Sequence, residues 1–253
     1  MEIAVSHLPA RLWRGFVDLV APSLCLGCGK PVGEPASLCV ACWASLQHLD
    51  EPVCDALGTP FAYDQGPGAL SAAALSDPPA WDRARAAVIF DDLAAGIVHG
   101  LKYRDRPEAG RLMARMMARA GRGLLSEAQV ILPVPLHRLR LWRRRFNQSA
   151  LLAARLSEIS GKPWRHDVLA RARRTRAQVG LDEAQRRKNV KGAFTVRPER
   201  LAAVAGKTVL LIDDVRTTGA TAEACALALR QAGAAHVLVL SFALVPAPAK
   251  PHI

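Results

Sequence analysis

Val209-Leu-Leu-Ile-Asp213-Asp214-Val-Arg-Thr217-Thr218-Gly219-Ala-Thr221 is the stretch that decides the fold of this chain. An apolar run ends at two carboxylates, and a hydroxyl-rich turn with one glycine leads into an alanine-rich segment. A strand that passes through such a turn into a helix gathers backbone N–H groups and the positive end of the helix dipole, which bind anions. Carboxylates at the carboxyl end of a strand accept hydrogen bonds from sugar hydroxyls or hold Mg²⁺ through water. An ordinary helix cap would explain one Asp and one Thr, so the whole string predicts a phosphate and sugar site.

Segments on both sides of this stretch alternate between strand and helix patterns. Apolar, β-branched runs predict strands at Ala86 to Phe90, Val130 to Pro133, Lys207 to Ile212 and Val237 to Leu244. Helical patterns lie between them, through Leu93, Ile97 and Leu101, then at Arg111 to Ala120, Asn147 to Ser160 and Thr221 to Gln231. This alternation predicts an α/β fold with a mostly parallel sheet flanked by helices. No internal repeat of fixed period is visible.

The N-terminal part carries two C-x2-C pairs, Cys25 with Cys28 and Cys39 with Cys42. Four thiolates at this spacing can surround one Zn²⁺ as a tetrahedron and leave no open position, so the metal is predicted to be structural. Buried free thiols or disulfides are the alternatives. The remaining cysteines, Cys54 and Cys225, stand alone and are interpreted as core or surface thiols.

Composition changes near residue 80, because five of the six cysteines precede it and the regular alternation follows it. We therefore predict a small zinc-binding subdomain with a leading helix over residues 1–60 and the α/β domain over residues 80–253. The longest apolar stretches are shorter than the ~18 residues that span a bilayer. No small-residue cleavage site follows a continuous hydrophobic region near the start of the chain. These features predict no membrane span and a cytoplasmic location.

The chain is strongly basic, since 34 Lys and Arg face 22 Asp and Glu and give a net charge of +12. The excess is concentrated in Arg138 to Arg145 and Arg165 to Lys191. Phosphate-rich small molecules and nucleic acid both fit such a field, and a basic face turned only to solvent fits it too. Charge alone does not choose between these partners.

The residue 209–221 string resembles the signature with which type I phosphoribosyltransferases bind phosphoribosyl pyrophosphate (PRPP). Three further segments resemble the ComF (GntX-like) family, the competence-associated branch of that superfamily: Gly100-Leu-Lys-Tyr-Arg104; Pro133-Val-Pro-Leu-His137 with Arg145-Phe-Asn-Gln148; and Arg174-Thr-Arg-Ala-Gln178 through Leu181, Arg187 and Asn189 to Phe194. With the N-terminal cysteines, the resemblance covers nearly the whole chain. Two positions depart from it. Arg145 stands where a glycine is expected, and Leu57 stands where Cys54 would find the partner of a second C-x2-C pair, which argues against a second zinc site.

The resemblance implies a role for each matching residue. It places Asp213 and Asp214 as catalytic carboxylates on the ribose hydroxyls of PRPP, which binds with Mg²⁺. It places the 5-phosphate on the turn that follows, with Thr217, Thr218, Gly219 and Thr221 as ligands and Val215, Arg216 and Ala220 completing the loop. The Pro133 to His137 turn, with Pro135 and His137, approaches pyrophosphate. Lys102 and the segment Arg173 to Arg187 are the mobile groups that cover it.

Two classes of function follow from the resemblance. The first is transfer of the phosphoribosyl group to a nitrogen nucleophile. Arg and Mg²⁺ stabilise the charge that develops on departing pyrophosphate, and carboxylates stabilise the positive ribose ring. The second is a non-catalytic role in DNA uptake, in which the same fold binds PRPP, another phosphorylated ribose, a nucleotide or single-stranded DNA. No segment is assigned to recognition of a base, and only 5% of residues are aromatic, which limits stacking in both cases.

Overall fold

The computed structural model of the chain describes residues 23–103, 107–136, 146–172, 185 and 192–246. The chain forms two compact units, Met1–Ser45 and Leu46–Ile253. The first contains, within its described part, the paired cysteines and helix α1 (Val40–Ser45). The second contains a parallel sheet and all the other elements.

The strands of the second unit are β1 (Arg83–Ile89), β2 (Val130–Pro133), β3 (Leu169–Arg171), β4 (Phe194–Val196), β5 (Thr208–Arg216) and β6 (His236–Leu244). Its helices are α2 (Ala72–Ser76), α3 (Asp92–Tyr103), α4 (Pro107–Ala120), α5 (Arg122–Glu127), α6 (Gln148–Ser160) and α7 (Ala220–Gln231), with a 3-10 helix at Pro198–Ala203. The central sheet has the order β1-β6-β5-β2, and each neighbouring pair is parallel. The predicted parallel sheet is therefore confirmed.

Helices cover both faces of this sheet. Helices α4 and α6 pack against each other and over the strands on one face, and α7 packs against β5, β6 and β4 on the other. Val209 and Leu211 of β5 join the cluster that contains the buried alanines of α7. Leu210 and Ile212 are equally buried and alternate with them, so they face the opposite layer. Burial on both faces explains why β5 appears in the sequence as a continuous apolar run.

Strand β5 runs further than the sequence predicts. Hydrogen bonding to β6 continues past Ile212, with Asp213 opposite Ser241 and Arg216 opposite Leu244. Helix α7 then begins at Ala220, so only residues 217–219 connect strand to helix. The acidic pair is consequently held in a strand whose backbone is fixed by its neighbour.

The short antiparallel pair β3–β4 was not predicted, because each strand has only three residues and a long basic segment separates them. Among the described residues, no helix is both long and apolar enough to cross a membrane.

Candidate functional site

The connection between β5 and α7 is a tight turn that requires glycine. Gly219 has a φ of 78°, in the left-handed region, and directly precedes the helix. A Cβ at this position would lie 2.9 Å from Cη2 of Trp81, which is closer than carbon atoms approach one another. No side chain caps the start of α7. The hydroxyl oxygen of Thr218 is buried and has no hydrogen-bond partner within the described residues. The turn thus keeps backbone donors available for an anion.

A cavity of about 350 Å³ opens beside this turn, at the carboxyl ends of β2 and β5. That volume lies at the lower end of the range for small-molecule sites. It brings together most of the residues that the sequence selected: Lys102, Pro135, Asp213, Asp214, Val215, Arg216, Thr217, Gly219, Ala220 and Thr221. Thr218 belongs to the same turn but does not line the wall. His137, Arg138 to Arg145 and nearly all of Arg173 to Arg187 lie outside the described residues.

The two carboxylates of the cavity are held differently. Asp214 forms an ion pair with Lys102, whose Nζ lies 2.6 Å from Oδ2, and its Oδ1 accepts from the N–H of Val215 at 2.7 Å. Asp213 Oδ1 accepts from the Ser149 hydroxyl at 3.2 Å and from the N–H of Asp214 at 3.0 Å. Burial, followed by the negative charge of Asp214, raises the pKa of Asp213 to about 7. Asp213 can therefore gain or lose a proton near neutral pH.

Lys102 lies on the last turn of α3 and reaches an acidic residue instead of the Pro135 turn. The resemblance to phosphoribosyltransferases implies a role for Lys102 at the leaving group of PRPP. In this structure its ammonium group is engaged by Asp214, so that role stays a prediction.

Some cavity residues were missed by the sequence analysis, among them Ser149 and Arg171. Ser149 is placed by the start of α6, where the Asn147 side chain accepts from its N–H at 3.0 Å. The Asn147 amide also donates to the Val134 carbonyl at 3.0 Å and ties the helix start to the Pro135 turn. The helix start agrees with the prediction of a helix over Asn147 to Ser160, with Asn147 as its cap, whereas the contact of Ser149 with Asp213 depends on how the helix packs. Arg171 ends β3, and its guanidinium lies 5.2 Å from the centre of the Phe194 ring.

Four sulfur atoms meet in the first unit. Those of Cys25, Cys28, Cys39 and Cys42 lie within 4.8 Å of one another, and the Cys28 and Cys39 sulfurs are 3.7 Å apart. Zn–S bonds of ~2.3 Å in a tetrahedron place two sulfurs about 3.8 Å apart, so the four side chains fit one zinc ion. Burial raises the pKa of Cys25, but the backbone amides of Cys28, Cys39 and Gly27 outweigh it and lower the pKa to about 6. Burial and the neighbouring sulfurs raise the pKa of Cys42 in the same cluster, so negative charge is concentrated on Cys25 when no metal is bound.

The lone cysteines lie elsewhere. Cys54 and Cys225 are free and buried, in agreement with their interpretation as core thiols. Burial raises the pKa of Cys225 well above its ordinary value. Neither belongs to a group of potential metal ligands in the part of the chain that the structure describes.

Comparison with known proteins gives matches over both parts of the chain. Residues 16–73 match the family described as the double zinc ribbon domain. The DNA utilization protein YhgH of Escherichia coli O157:H7 is 32% identical over 228 residues, which cover 87% of this chain and 96% of that protein. Competence protein F of Haemophilus influenzae is 28% identical over 91% of this chain and 94% of its own length. The zinc ribbon match and the four clustered cysteines together support a structural zinc in the first unit.

A solved structure, orotate phosphoribosyltransferase from Aeropyrum pernix, aligns with a TM-score of 0.35 and 17% identity. The alignment covers 64% of this chain and 81% of that enzyme.

Proposed function

Since this chain belongs to the ComF family of competence and DNA utilization proteins, we propose that it binds PRPP with Mg²⁺ in the cavity beside the 217–219 turn and transfers the phosphoribosyl group to a nitrogen nucleophile. The observation that carries the proposal is a single cavity of about 350 Å³ that has an acidic pair on one wall and an uncapped helix start on another. A phosphorylated sugar needs carboxylates for its hydroxyl groups and N–H donors for its phosphate. Here only the short 217–219 turn separates the strand that carries the carboxylates from the helix start that carries the donors.

Each part of the ligand has a matching group in the cavity. The 5-phosphate binds the backbone N–H groups of the turn and the hydroxyl of Thr217, which lines the cavity. The ribose hydroxyls donate to Asp213 and Asp214. The Pro135 turn and Arg171 line the remaining wall and face the pyrophosphate. Asp213 and Asp214 would hold Mg²⁺ through water, and the ion would supply positive charge for the pyrophosphate group.

The reaction breaks the bond between the anomeric carbon and the pyrophosphate oxygen, and the bonding electrons leave with pyrophosphate. The lone pair of the nitrogen nucleophile forms the new bond to that carbon, and the nitrogen then gives its proton to solvent water. Positive charge develops on the ribose ring, where the adjacent carboxylates of Asp213 and Asp214 stabilise it. Lys102 must leave Asp214 when the ligand binds, and its ammonium group is then available to the departing pyrophosphate.

The proposal is tested by titrating PRPP into the protein with and without Mg²⁺ in a calorimeter. We expect saturable, Mg²⁺-dependent binding that weakens in Asp214→Asn, because the amide is a poorer acceptor for hydroxyls and a poorer metal partner. Release of pyrophosphate is then measured with a panel of nucleobases and amines. Absence of binding heat in the parent protein would reject the proposal, and binding without pyrophosphate release would leave a PRPP-binding protein that is not an enzyme.

Affinity for PRPP should depend on the protonation of Asp213. Because its pKa is raised to about 7, Asp213 is increasingly protonated below that pH, and a neutral carboxyl accepts poorly from ribose hydroxyls. The raised pKa also affects folding stability. Protonated Asp213 contributes to the stability of the folded state below the ordinary pKa of an Asp carboxyl, and this contribution is lost as the pH rises through about 7. Affinity should therefore rise with pH, by up to about tenfold per unit below pH 7.

Calorimetry between pH 5.5 and 8 measures this dependence, and Asp213→Asn is the matched control. The phosphates of PRPP titrate near pH ~6 and contribute equally to both proteins. The parent should show the steeper rise. Parallel profiles would show that Asp213 does not titrate at the ribose.

A second candidate function is binding of single-stranded DNA in the cytoplasm. It is favoured by the net charge of +12 and by the names of the relatives, which concern competence and DNA utilization. If the basic segments bind backbone phosphates, affinity for an oligonucleotide should fall steeply as the salt concentration rises. Charge reversal at Arg143 or Arg144 should then weaken binding regardless of base sequence. Binding that is absent at physiological ionic strength would exclude this function.

A further inference from the structure

The backbone of the cysteine turn in the first unit is repeated in the second unit. In the first, Cys25 N–H donates to Lys30 O at 2.8 Å and Gly29 N–H to Cys25 O at 2.9 Å. In the second, Cys54 N–H donates to Thr59 O at 2.8 Å and Gly58 N–H to Cys54 O at 2.6 Å. Each turn is closed by an isolated antiparallel bridge, Leu24 with Pro31 and Val53 with Pro60, and both glycines have positive φ. We call residues 24–45 the first knuckle and residues 53–76 the second knuckle.

The equivalence extends to the second half of each knuckle. Cys39 N–H donates to the Cys25 sulfur at 3.2 Å, and Ser71 N–H donates to the Cys54 sulfur at 3.2 Å. A short helix follows in each case, α1 after Cys39 and α2 after Ser71. The four metal positions of the first knuckle therefore correspond, in order, to Cys54, Leu57, Ser71 and Ala74. One cysteine remains out of four, so the second knuckle does not fit a zinc ion.

Apolar contacts occupy the place of the metal. Cys54, Ala56 and Ala74 are buried in one cluster, and Leu57 and Phe61 pack against it. Such a cluster supplies the stabilisation that a zinc ribbon usually takes from its metal. The family matched by residues 16–73 is named for two zinc ribbons, whereas the described residues of this chain offer one group of zinc ligands, in the first knuckle.

Two carbonyl groups of the second knuckle accept hydrogen bonds from side chains that lie against the 217–219 turn. Ala56 O accepts from the Trp81 indole N–H at 2.7 Å, and Leu57 O accepts from the guanidinium of Arg216. Arg216 is buried and lies over the Trp81 ring, 5.9 Å from its centre. Trp81 is in turn the side chain that a Cβ on Gly219 would strike. The contacts form a continuous chain from the knuckle to both ends of the 217–219 turn.

We propose that the second knuckle is a metal-free scaffold that holds the 217–219 turn in place. Trp81 and Arg216 are the positioning residues that connect the knuckle to the turn. The planar guanidinium is fixed between a carbonyl and an indole, so Arg216 has little rotational freedom at the end of β5. Trp81 closes the other side by packing against Gly219. The consequence for PRPP rests on the proposed function, whereas the ordering of the turn does not depend on it.

Hydrogen exchange of the ligand-free protein tests the scaffold directly. Arg216→Met replaces the guanidinium by an unbranched apolar side chain and removes the bond to Leu57 O. It should speed exchange of the Val245 and Glu223 amides, which donate to Arg216 O and Gly219 O at the two ends of the turn, about tenfold. Trp81→Phe keeps an aromatic ring but removes both the N–H donor to Ala56 O and the outer edge of the indole that lies beside Gly219, so an increase of about tenfold is expected here too. Arg155→Met on α6, which removes an exposed pair with Glu158, is the control and should leave these amides unchanged.

Calorimetry on the same variants connects the turn to its ligand. Mg²⁺-PRPP affinity should fall about tenfold in Arg216→Met and remain at the parent value in Arg155→Met. If the parent binds no PRPP while Arg216→Met still speeds exchange of the Val245 and Glu223 amides, the scaffold stands and the proposed function fails. The scaffold is overturned if neither variant changes exchange at the turn. It is also overturned if exchange rises equally in β6, because the variant then loosens the whole domain.

Discussion

Gly219→Val should lower the affinity for Mg²⁺-PRPP by at least about 100-fold, the largest effect we expect from one substitution in the cavity. A β-branched residue strongly resists a φ of 78°, at a cost on the order of 1–3 kcal/mol. Its Cβ would also stand 2.9 Å from Trp81 Cη2, so the turn or the indole must move. Either movement displaces the N–H groups at the start of α7 from the phosphate. Calorimetry with the purified variant measures the loss.

Gly206→Val is the matched control for backbone strain. Gly206 also has a positive φ, 68°, but a Cβ there would meet no atom within 4 Å, and the residue does not line the cavity. Both variants should lose thermal stability, while only Gly219→Val should lose PRPP affinity. Equal affinities in the two variants would mean that the turn does not hold the phosphate.

Periodic features of the fold were predictable from the sequence. The four strands of the central sheet were predicted from continuous apolar runs. The helices between them were predicted from apolar residues at helical spacing. The end of β5 was not predictable in the same way, because Asp213 and Asp214 are polar and enter the strand through pairing with β6. Tertiary pairing here overrides local composition.

Long-range contacts of the site were likewise beyond the sequence. Ser149 reaches Asp213, Lys102 reaches Asp214, and Leu57 reaches Arg216, and each pair joins distant segments of the chain. The candidate residues could be chosen from motif spacing, but the partner of each depends on how the elements pack. Arg216 illustrates the difference, because its backbone belongs to the predicted loop while its guanidinium is held by the second knuckle.

The repeated knuckle escaped the sequence analysis because few of its positions keep the same residue. Cysteine, glycine and proline recur at three equivalent places, Cys25 with Cys54, Gly29 with Gly58 and Pro31 with Pro60. Glycine recurs because the turn needs a positive φ, and cysteine recurs because its sulfur accepts a backbone N–H. The other three equivalent positions carry Leu57, Ser71 and Ala74, none of which offers a thiolate.

Removal of zinc should unfold the first knuckle and leave the second intact. Within the described residues 23–45, only Cys25 and Ala36 are buried, and α1 has no buried residue. A unit with so little buried apolar surface cannot offset the entropy of ordering its backbone, so its folding free energy must come from the metal. The second knuckle has an apolar cluster in the equivalent place and belongs to the larger unit. Its stability should not depend on zinc.

Hydrogen exchange before and after chelation compares equivalent amides in one molecule. The N–H groups of Cys25 and Gly29 should lose essentially all protection when zinc is removed. Those of Cys54 and Gly58 should keep their protection, because the second knuckle forms the same hydrogen bonds without a metal. Metal analysis should find one zinc per chain, lost in Cys28→Ser and retained in Cys54→Ser. Two zinc ions per chain would contradict this assignment, because the four thiolates are the only set of ligands that the described residues offer to a zinc ion. Protection at the Cys25 N–H that survives chelation would contradict it as well.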